Sequence, residues 1–433
     1  MVARSVFAWA RRTPYLAGLP RDVAVLSFVA FSVALGYGIA APVIPVYART
    51  FGVSAFWAST VISGFALMRL LSAGPAGLAV ERFGERRVMS LGIWIVAVSS
   101  LLTAAAQSFP QLLLLRGFGG IGSAMFTVSA MALLLRRAGP EQRGRASGAF
   151  QAGFLFGGVA GPAVGGLVVG VSIRAPFVVY GATLVVAGLI AARFLSREPR
   201  SGDGAAAGTL TAGASDPAVG DPAPSAGGDP APAPTRVLAA LRLRAYRAAL
   251  AVNLASGFVF FGLRISLVPL FVTESLQRGV GLVGAGFVLA TAVQAIALVP
   301  AGRRTDALGR RPSLLVGAVA LIVSMALLVL DTGWVGLLAA MAASGLASAF
   351  LGAPAAAVVG DVTRGQSGGR VVSVYQMVGD LGGILGPLAA GALADALGFH
   401  WAFATGLAVA VVTLAMIVAM PETLRRPAPA TSA

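Results

Sequence analysis

Long apolar stretches separated by short polar segments recur along the whole chain. A helix needs about 20 mainly apolar residues to cross a bilayer, and twelve stretches have that character. The pattern therefore predicts an all-α membrane protein with twelve transmembrane helices. The predicted spans are residues 22–47, 54–79, 88–107, 110–135, 146–170, 175–195, 247–272, 281–301, 312–331, 334–359, 370–394 and 399–420.

One segment interrupts this pattern between the sixth and the seventh span. Residues 201–235 are dominated by Gly, Ala, Pro, Ser and Asp, a composition that cannot build a hydrophobic core. We therefore expect two six-helix bundles joined by a disordered cytoplasmic linker. The predicted organisation is a tail over 1–21, a bundle over 22–196, the linker over 197–246, a second bundle over 247–420 and a tail over 421–433.

The second half of the chain repeats the first at an offset of 225 residues. Because six spans is an even number, both halves enter the membrane in the same direction. The repeats are therefore predicted to be parallel, with a transport pathway at their interface. The matching pairs include Gly77 and Gly302, Glu81 and Asp306, Gly84 and Gly309, and Gly161-Pro162 and Gly386-Pro387.

Composition supports a membrane protein and narrows its chemistry. Apolar residues make up 57% of the chain and charged residues 11%, whereas soluble proteins carry about 25% charged residues. The chain has no Cys, one His and no Lys, since all 32 basic residues are arginine. It thus offers no thiolate nucleophile, no multi-histidine metal site and no P-loop lysine. We predict that the protein is not an enzyme and needs neither cofactor nor metal.

The net charge of +16 follows membrane topology. If the N-terminus is cytoplasmic, 26 of the arginines fall in inner loops and tails, and only Arg49, Arg174 and Arg278 fall in outer loops. The positive-inside rule therefore predicts two cytoplasmic termini in the cytoplasmic membrane. A charge distribution explained in this way gives no reason to expect a nucleic-acid partner.

A short motif follows the second span and recurs after the eighth. The first copy reads Gly77-Leu-Ala-Val-Glu81-Arg82-Phe-Gly84-Glu85-Arg86-Arg87, and the second reads Gly302-Arg-Arg-Thr-Asp306-Ala-Leu-Gly309-Arg310-Arg311. Both resemble the loop motif G-x3-D-R-x-G-R-R of the major facilitator superfamily, although the first copy has Glu81 for Asp and Glu85 for Arg.

The resemblance implies that this loop is a gate. In that family the carboxylate is thought to latch one half onto the other at a helix N-terminus, where the helix dipole favours a negative charge by about 0.3–1 kcal/mol. Glu81 would then meet the start of span 11, and Asp306 the start of span 5. The alternative is a loop that only holds orientation. The gating candidates are Gly77, Glu81, Arg82, Gly84, Arg86, Asp306, Gly309, Arg310 and Arg311.

Span 5 supplies the best functional indication. It reads Gly148-x8-Gly157-x3-Gly161-Pro162-x2-Gly165, which resembles the antiporter motif of drug–proton exchangers and so implies export. Ordinary packing of small residues would explain Gly157 and Gly161 alone, but it does not favour the whole spacing.

Ionisable residues within spans are costly, at about 2.5–3.5 kcal/mol each at the bilayer centre, so each indicates a function. Asp380, about 15 Å into span 11, is the first candidate for the proton site. The alternative is a fixed ion pair, for which Arg264 in span 7 is the expected partner. Whether Asp22 and Arg69 are functional stays open, because both can be charges close to the membrane surface.

Arg116 begins the span-4 segment Arg116-Gly-Phe-Gly-Gly120-Ile-Gly122. The segment resembles a family motif whose arginine is implicated in proton coupling, although the side chain could instead snorkel to the surface. The predicted proton-coupling set is therefore Asp380, Arg116 and Arg264. Polar and aromatic candidates for the substrate cavity are Tyr37, Gln151, Phe260, Phe261, Gln294 and Gln376, a lining that suits amphiphilic, often cationic, substrates.

Together these features identify the chain as a member of the major facilitator superfamily, of the drug–proton antiporter type. The resemblance implies proton-driven export of small amphiphilic compounds by alternating access. The expected partners are a small-molecule substrate, protons and the lipid bilayer, and the expected state is a monomer. The alternatives are a proton-coupled importer, an exporter of one endogenous metabolite, or a membrane sensor that transports nothing.

Overall fold

The computed structural model describes residues 20–138, 142–195, 237–363 and 369–424, and within these ranges every regular element is a helix. A short helix, Val237–Arg242, precedes the seventh long helix. The twelve long helices are α1 (Arg21–Arg49), α2 (Ala55–Phe83), α3 (Glu85–Ala104), α4 (Phe109–Arg137), α5 (Arg143–Val169), α6 (Ala175–Phe194), α7 (Arg244–Ser275), α8 (Val280–Ala307), α9 (Arg310–Leu330), α10 (Gly333–Val362), α11 (Gly369–Leu397) and α12 (Phe399–Val418).

These helices confirm the predicted twelve-helix fold. Among the described residues, eleven helices are long and apolar enough to cross a membrane, and α5 is a further helix of 27 residues. The predicted linker overlaps ordered structure, since Val237–Arg242 is helical and α7 begins at Arg244. Leu, Ala and Arg are good helix formers, which explains the difference. Residues 201–235 lie outside the described part of the chain.

The loop motif is mostly helical. Helices α2 and α8 continue through Glu81 and Asp306 and stop only at the glycines that follow. Gly84 has φ +81° and Gly309 has φ +119°, backbone conformations that residues with a Cβ rarely adopt. The two glycines therefore make the sharp reversals into α3 and α9.

The two halves pack in the same order. In the N-terminal half α1 packs against α5 and α6, and α4 packs against α2 and α3. In the C-terminal half α7 packs against α11 and α12, and α10 packs against α8 and α9. This repetition confirms the prediction of two parallel six-helix repeats.

The halves meet along two helix pairs, α2 with α11 and α5 with α8, and where the end of α1 approaches α7. We call the end of the bundle that holds the α1–α2 connection the distal end, and the end that holds the α2–α3 connection the proximal end. Under the predicted topology the distal end faces outward and the proximal end faces the cytoplasm.

Helix α7 departs from regular α geometry. It is wound as a π-helix over Gly257–Leu267 and again over Phe271–Ser275. Its counterpart α1 instead tightens into a 3₁₀ turn over Ala41–Val43, next to Pro42 and Pro45. Extended π segments are rare and occur mostly at functional sites. The sequence pattern did not predict this winding.

Glycines bring α1 and α5 into backbone contact. A Cβ on Gly157 would collide with the carbonyl oxygen of Phe31, and a Cβ on Gly161 would lie 2.6 Å from the carbonyl oxygen of Leu35. In the other half a Cβ on Gly262 of α7 would lie 2.5 Å from the carbonyl carbon of Gly386 of α11. Small residues therefore set the spacing of the same helix pair in both repeats.

We expect Gly157→Ala to destabilise the protein and Gly158→Ala to be tolerated. A Cβ at Gly157 strikes the α1 backbone, whereas a Cβ at Gly158 meets nothing within 4 Å. Overpacking of this kind costs about 1–3 kcal/mol. Thermal unfolding of the two purified variants in detergent measures the difference. Equal unfolding temperatures would contradict the role assigned to this glycine row.

Candidate functional site

An ion pair joins the two halves at the middle of the bundle. Arg69 of α2 donates a hydrogen bond through Nη2 to Oδ1 of Asp380 of α11. The side chains are 39% and 28% exposed, so the pair is not enclosed by the protein. A carboxylate held by a cation from the other half can couple a proton to the contact between the halves.

Asp380 pairs with Arg69, which is therefore not an isolated charge near the surface. The alternative of a fixed ion pair had named Arg264 as the partner, and that partner was wrong. Gly379 and Gly382 of α11 pack against α7. Asp380 lies on a different side of α11 and faces α2. This orientation depends on helix rotation, which the spacing of spans does not reveal.

Arg116 lies fully inside the N-terminal half and does not snorkel. It is 0% exposed, and its three side-chain nitrogen atoms have no hydrogen-bond partner among the described residues. Its guanidinium carbon lies 4.8 Å from the ring centroid of Phe65 and 6.0 Å from that of Tyr180. Tyr37 packs against Phe65 at 5.9 Å between centroids. Aromatic rings therefore provide the surroundings of this cation.

Arg264 occupies a comparable environment in the C-terminal half. Its Nη1 lies 3.3 Å from Oγ of Ser344 and 3.5 Å from Oγ of Ser348. Its guanidinium carbon lies 4.9 Å from the ring centroid of Phe260, and the neighbouring Phe261 is 43% exposed. One of the predicted cavity aromatics, Phe260, thus lies beside this arginine.

The three predicted cavity glutamines lie on three separate helices. Gln151 of α5 and Gln376 of α11 are exposed, and Gln294 of α8 is half-buried. At the repeat offset Gln294 corresponds to Arg69, and Leu155 corresponds to Asp380. The α5–α8 contact is therefore the uncharged equivalent of the α2–α11 contact.

Polar contacts close the distal end. Arg49 at the end of α1 donates to Glu274 at the end of α7, with Nε–Oε1 2.5 Å and Nη2–Oε2 3.0 Å. Ser266 of α7 bonds Ser59 of α2 at 2.6 Å. The described hydrogen bonds between the halves lie between the Arg69–Asp380 pair and this end. One of these contacts had a signal in the sequence. Arg49 and Glu274 occupy equivalent positions of the two repeats and carry opposite charges.

A carboxylate does cap a helix of the other half, but at the distal end. Asp395 of α11 accepts from the backbone N–H groups of Ala55 at 2.9 Å and Phe56 at 2.8 Å, at the start of α2. The N-cap residue Ser54 makes no side-chain cap of its own. Asp395 therefore satisfies free donors and the helix dipole together.

The carboxylates of the loop motif are exposed in the present conformation, whereas the resemblance implies that they latch the halves when the outside is open. Asp306 was expected at the start of α5, yet its side chain is 81% exposed and its described contact is with Arg310, at 3.5 Å. Glu81 is exposed on the last turn of α2. Residues 364–368, which precede α11, lie outside the described part of the chain. The contact of Glu81 with the start of α11 therefore stays a prediction. Gly77 lies half-buried four residues before Glu81. The guanidinium carbon of Arg82 lies 5.5 Å from the ring centroid of Phe83.

Other residues of the motif tie helices together within each half. Arg86 donates to the carbonyl of Ala192 at the end of α6, and the equivalent Arg311 donates to that of Val418 at the end of α12, both at 2.6 Å. The residues before these arginines, Glu85 and Arg310, form ion pairs in which the acidic and the basic residue are exchanged between the two halves. They are Glu85–Arg136 in the first and Arg310–Asp361 in the second, each at 3.0 Å.

The predicted antiporter motif is a packing surface. Gly157, Gly161 and Gly165 contact the backbone of α1, whereas a Cβ on Gly148 would meet nothing within 4 Å. Pro162 and Gly165 line an apolar crevice at the distal end, where the adjacent Gly166 meets Gly284 of α8. The motif therefore lies where α5 contacts both its own half and the other one.

Glu422, just after α12, caps the start of α9. Its Oε1 accepts from the backbone N–H of Arg310 and its Oε2 from that of Arg311, both at 2.9 Å. Burial alone would raise the pKa of Glu422, but hydrogen bonds from the backbone of Leu424, Arg310, Arg311 and Thr423 together hold that pKa below its usual value of 4.5.

Comparison with known proteins identifies relatives of this arrangement. Residues 26–279 and 249–433 match the model of the Major Facilitator Superfamily. The quinolone resistance protein NorA of Staphylococcus aureus is 28% identical over 167 residues, which are 39% of this chain and 43% of NorA. Multidrug resistance protein 2 of Bacillus subtilis is 29% identical over 160 residues, 37% of this chain and 39% of that protein. The matched segments thus span less than half of these relatives.

Solved structures share the fold along nearly the whole chain. Two structures of a bacterial homologue of the human lysosomal transporter Spinster, both inward-facing, match this one. The unoccupied form has a TM-score of 0.64 and 20% identity, and covers 94% of this chain and 95% of its own. The occupied form has a TM-score of 0.67 and 17% identity, covering 92% and 95%. At these identities the likeness concerns the fold.

We expect Glu422→Gln to lower stability at pH 7, since loss of a helix cap costs about 1 kcal/mol. A carboxylate with a lowered pKa stabilises the folded state above its unfolded pKa, and that contribution disappears as the pH falls through the folded value. The difference in unfolding temperature should therefore shrink below about pH 4.5. Thermal unfolding in detergent from pH 7 to pH 3 tests this.

The exposed Glu81, changed to Gln, controls for the loss of one negative charge. A difference between wild type and Glu422→Gln that stays constant down to pH 3 would contradict the capping role.

Proposed function

Because this chain belongs to the Major Facilitator Superfamily, we propose that it exports small amphiphilic compounds from the cytoplasm in exchange for protons. It resides in the cytoplasmic membrane as a monomer with both termini inside. The similarity to NorA and to multidrug resistance protein 2 supports an exporter. The glycine and proline spacing of α5 supports antiport.

The position of the contacts between the halves supports alternating access. The described hydrogen bonds between them lie from mid-depth to the distal end. With the predicted topology, this conformation is closed to the outside and open to the cytoplasm. Rocking of one half on the other then requires the distal contacts to separate and new contacts to form at the proximal end.

The Arg69–Asp380 pair is the observation that carries the proposal. In the present conformation Arg69 pairs with Asp380 across the interface. Opening of the distal end separates α2 from α11 and breaks this pair, and a proton from outside then takes the place of Arg69 as the partner of the carboxylate. One charge moved down 100 mV supplies about 2.3 kcal/mol, and transport therefore needs no nucleotide hydrolysis.

Arg116 and the loop motif have supporting roles in this cycle. Arg116 is buried against Phe65 of α2, the helix that also carries Arg69, and so transmits movement of α2 to α4. Glu81 and Asp306 are exposed at the proximal end. They are therefore free to engage helix starts of the opposite half when that end closes, as Asp395 does at the distal end now.

We expect Asp380→Asn to abolish proton-driven accumulation in everted vesicles. A panel of fluorescent dyes and antibiotics, tested in cells with and without an uncoupler, first identifies an exported compound. Wild-type everted vesicles with an acidified interior should then accumulate it. The variant should be slower by about tenfold or more, the size of effect that follows from losing a charge-assisted interaction, while still exchanging compound for compound.

Asp331→Asn is the matched control, because Asp331 lies in the α9–α10 connection, away from the contacts between the halves. It has φ +45°, which Asn also tolerates. Full proton-driven export by Asp380→Asn would contradict the assignment. Loss of compound from acidified everted vesicles would instead identify an importer.

A further inference from the structure

The charge of Arg264 is not neutralised by the rest of the described protein. Its Nη1 contacts two serine hydroxyls, and its buried Nε has no hydrogen-bond partner. Asp380, at mid-depth, is engaged by Arg69. The remaining described carboxylates lie at or near helix ends and loops: Asp22, Glu81, Glu85, Glu274, Asp306, Asp331, Asp361, Asp395 and Glu422.

Arg264 lies on a helix at the contact between the two halves. Helix α7 contacts α10, α11 and α12 of its own half and α1 and α2 of the other. It is the most deeply buried of the candidate spans, with 72% of its most apolar stretch inside the protein. Arg264 is nevertheless partly exposed in the middle of this helix, and Phe261 is 43% exposed.

The surroundings of Arg264 are ordered like a binding site. The residue lies within the longer π segment, where Phe260 supports one face of the guanidinium at 4.9 Å. Ser344 and Ser348 fix Nη1 from α10, and Ser344 is itself buried. A planar guanidinium has five N–H donors, so donors remain for a ligand after the serines are satisfied.

We propose that Arg264, with Ser344, Ser348 and Phe260, is a subsite for an anionic group on the transported compound, a carboxylate attached to an aromatic or apolar body. This inference rests on the proposed transport function and reverses the expectation of cationic substrates. A guanidinium binds a carboxylate through two parallel hydrogen bonds. An unpaired cation in a low-dielectric interior attracts an anion and repels a cation. Arg116, whose charge is also uncompensated by a carboxylate, adds to this preference.

Three dansyl compounds of similar shape test the charge preference. Dansylglycine carries a carboxylate, dansylamide is neutral, and dansylethylenediamine carries an ammonium group. Their fluorescence rises in an apolar site, so titration onto the purified full-length protein in detergent gives each affinity. Dansylglycine should bind about tenfold or more tighter than dansylethylenediamine, as expected for a charge-assisted hydrogen bond, with dansylamide between them.

Arg264→Gln should remove this preference. The substitution should weaken the binding of dansylglycine by about tenfold and change the affinity for dansylamide little. Arg278→Gln is the control, because it removes the same charge from an exposed position in the α7–α8 connection. A structural arginine would lower the unfolding temperature when replaced, whereas removal of an unpaired buried charge should leave that temperature unchanged or raise it.

If Arg264→Gln does not fold, Arg264→Lys and the double variant Ser344→Ala/Ser348→Ala replace it, and both should weaken dansylglycine selectively. Equal or tighter binding of dansylethylenediamine by the wild type would overturn the proposal. So would an unchanged preference in these variants. Selective binding of dansylglycine without proton-driven transport would overturn the proposed function and leave the anion subsite standing. Proton-driven transport of cations alone would overturn the anion subsite and leave the proposed function standing.

Discussion

Charges in the interior of a bilayer-spanning protein must be compensated, because hydrocarbon offers them no solvation. This constraint explains how the middle of the bundle is arranged. Asp380 is compensated from across the interface by Arg69, so this ion pair is part of the contact between the halves. Arg116 and Arg264 rest on aromatic rings and hydroxyls instead. The three arginines therefore differ in their surroundings: Arg69 is paired across the interface, Arg116 is enclosed, and Arg264 is partly exposed.

The two repeats share their geometry and differ in their charges. The α3–α4 pair Glu85–Arg136 and the α9–α10 pair Arg310–Asp361 occupy equivalent positions with reversed polarity. The α2–α11 interface carries the charged Arg69 and Asp380, whereas the equivalent α8–α5 positions carry Gln294 and Leu155. The symmetry of the backbone thus supplies two similar contacts between the halves, and side chains place an ion pair at only one of them.

Features that depend on local sequence were predictable. Span boundaries fell within a few residues, since apolar length is read directly from the chain, and Gly84 and Gly309 marked the turns. Features that depend on how a helix is rotated about its axis were not predictable from the sequence. The partner of Asp380 was wrong because spacing does not say which neighbour a side chain faces. The capping of α2 by Asp395 joins residues 340 and 339 positions apart, and the π winding of α7 has no recognised residue pattern. The Glu81 and Asp306 latches, and the roles assigned to Asp380, Arg116 and Arg264, stay predictions.

The π winding makes α7 shorter than a regular α-helix of the same residues would be. Each π-type hydrogen bond encloses one residue more than an α-type bond, so each π turn that returned to α geometry would advance the following residues by about 1.5 Å and turn them by about 100°. Phe261 and Arg264 would swing around the helix axis, and the residues up to Ser275 would move with them. Helix α1, overwound beside two prolines, has no such reserve. The capacity to change length is thus concentrated in α7, a helix that lies where the two halves meet.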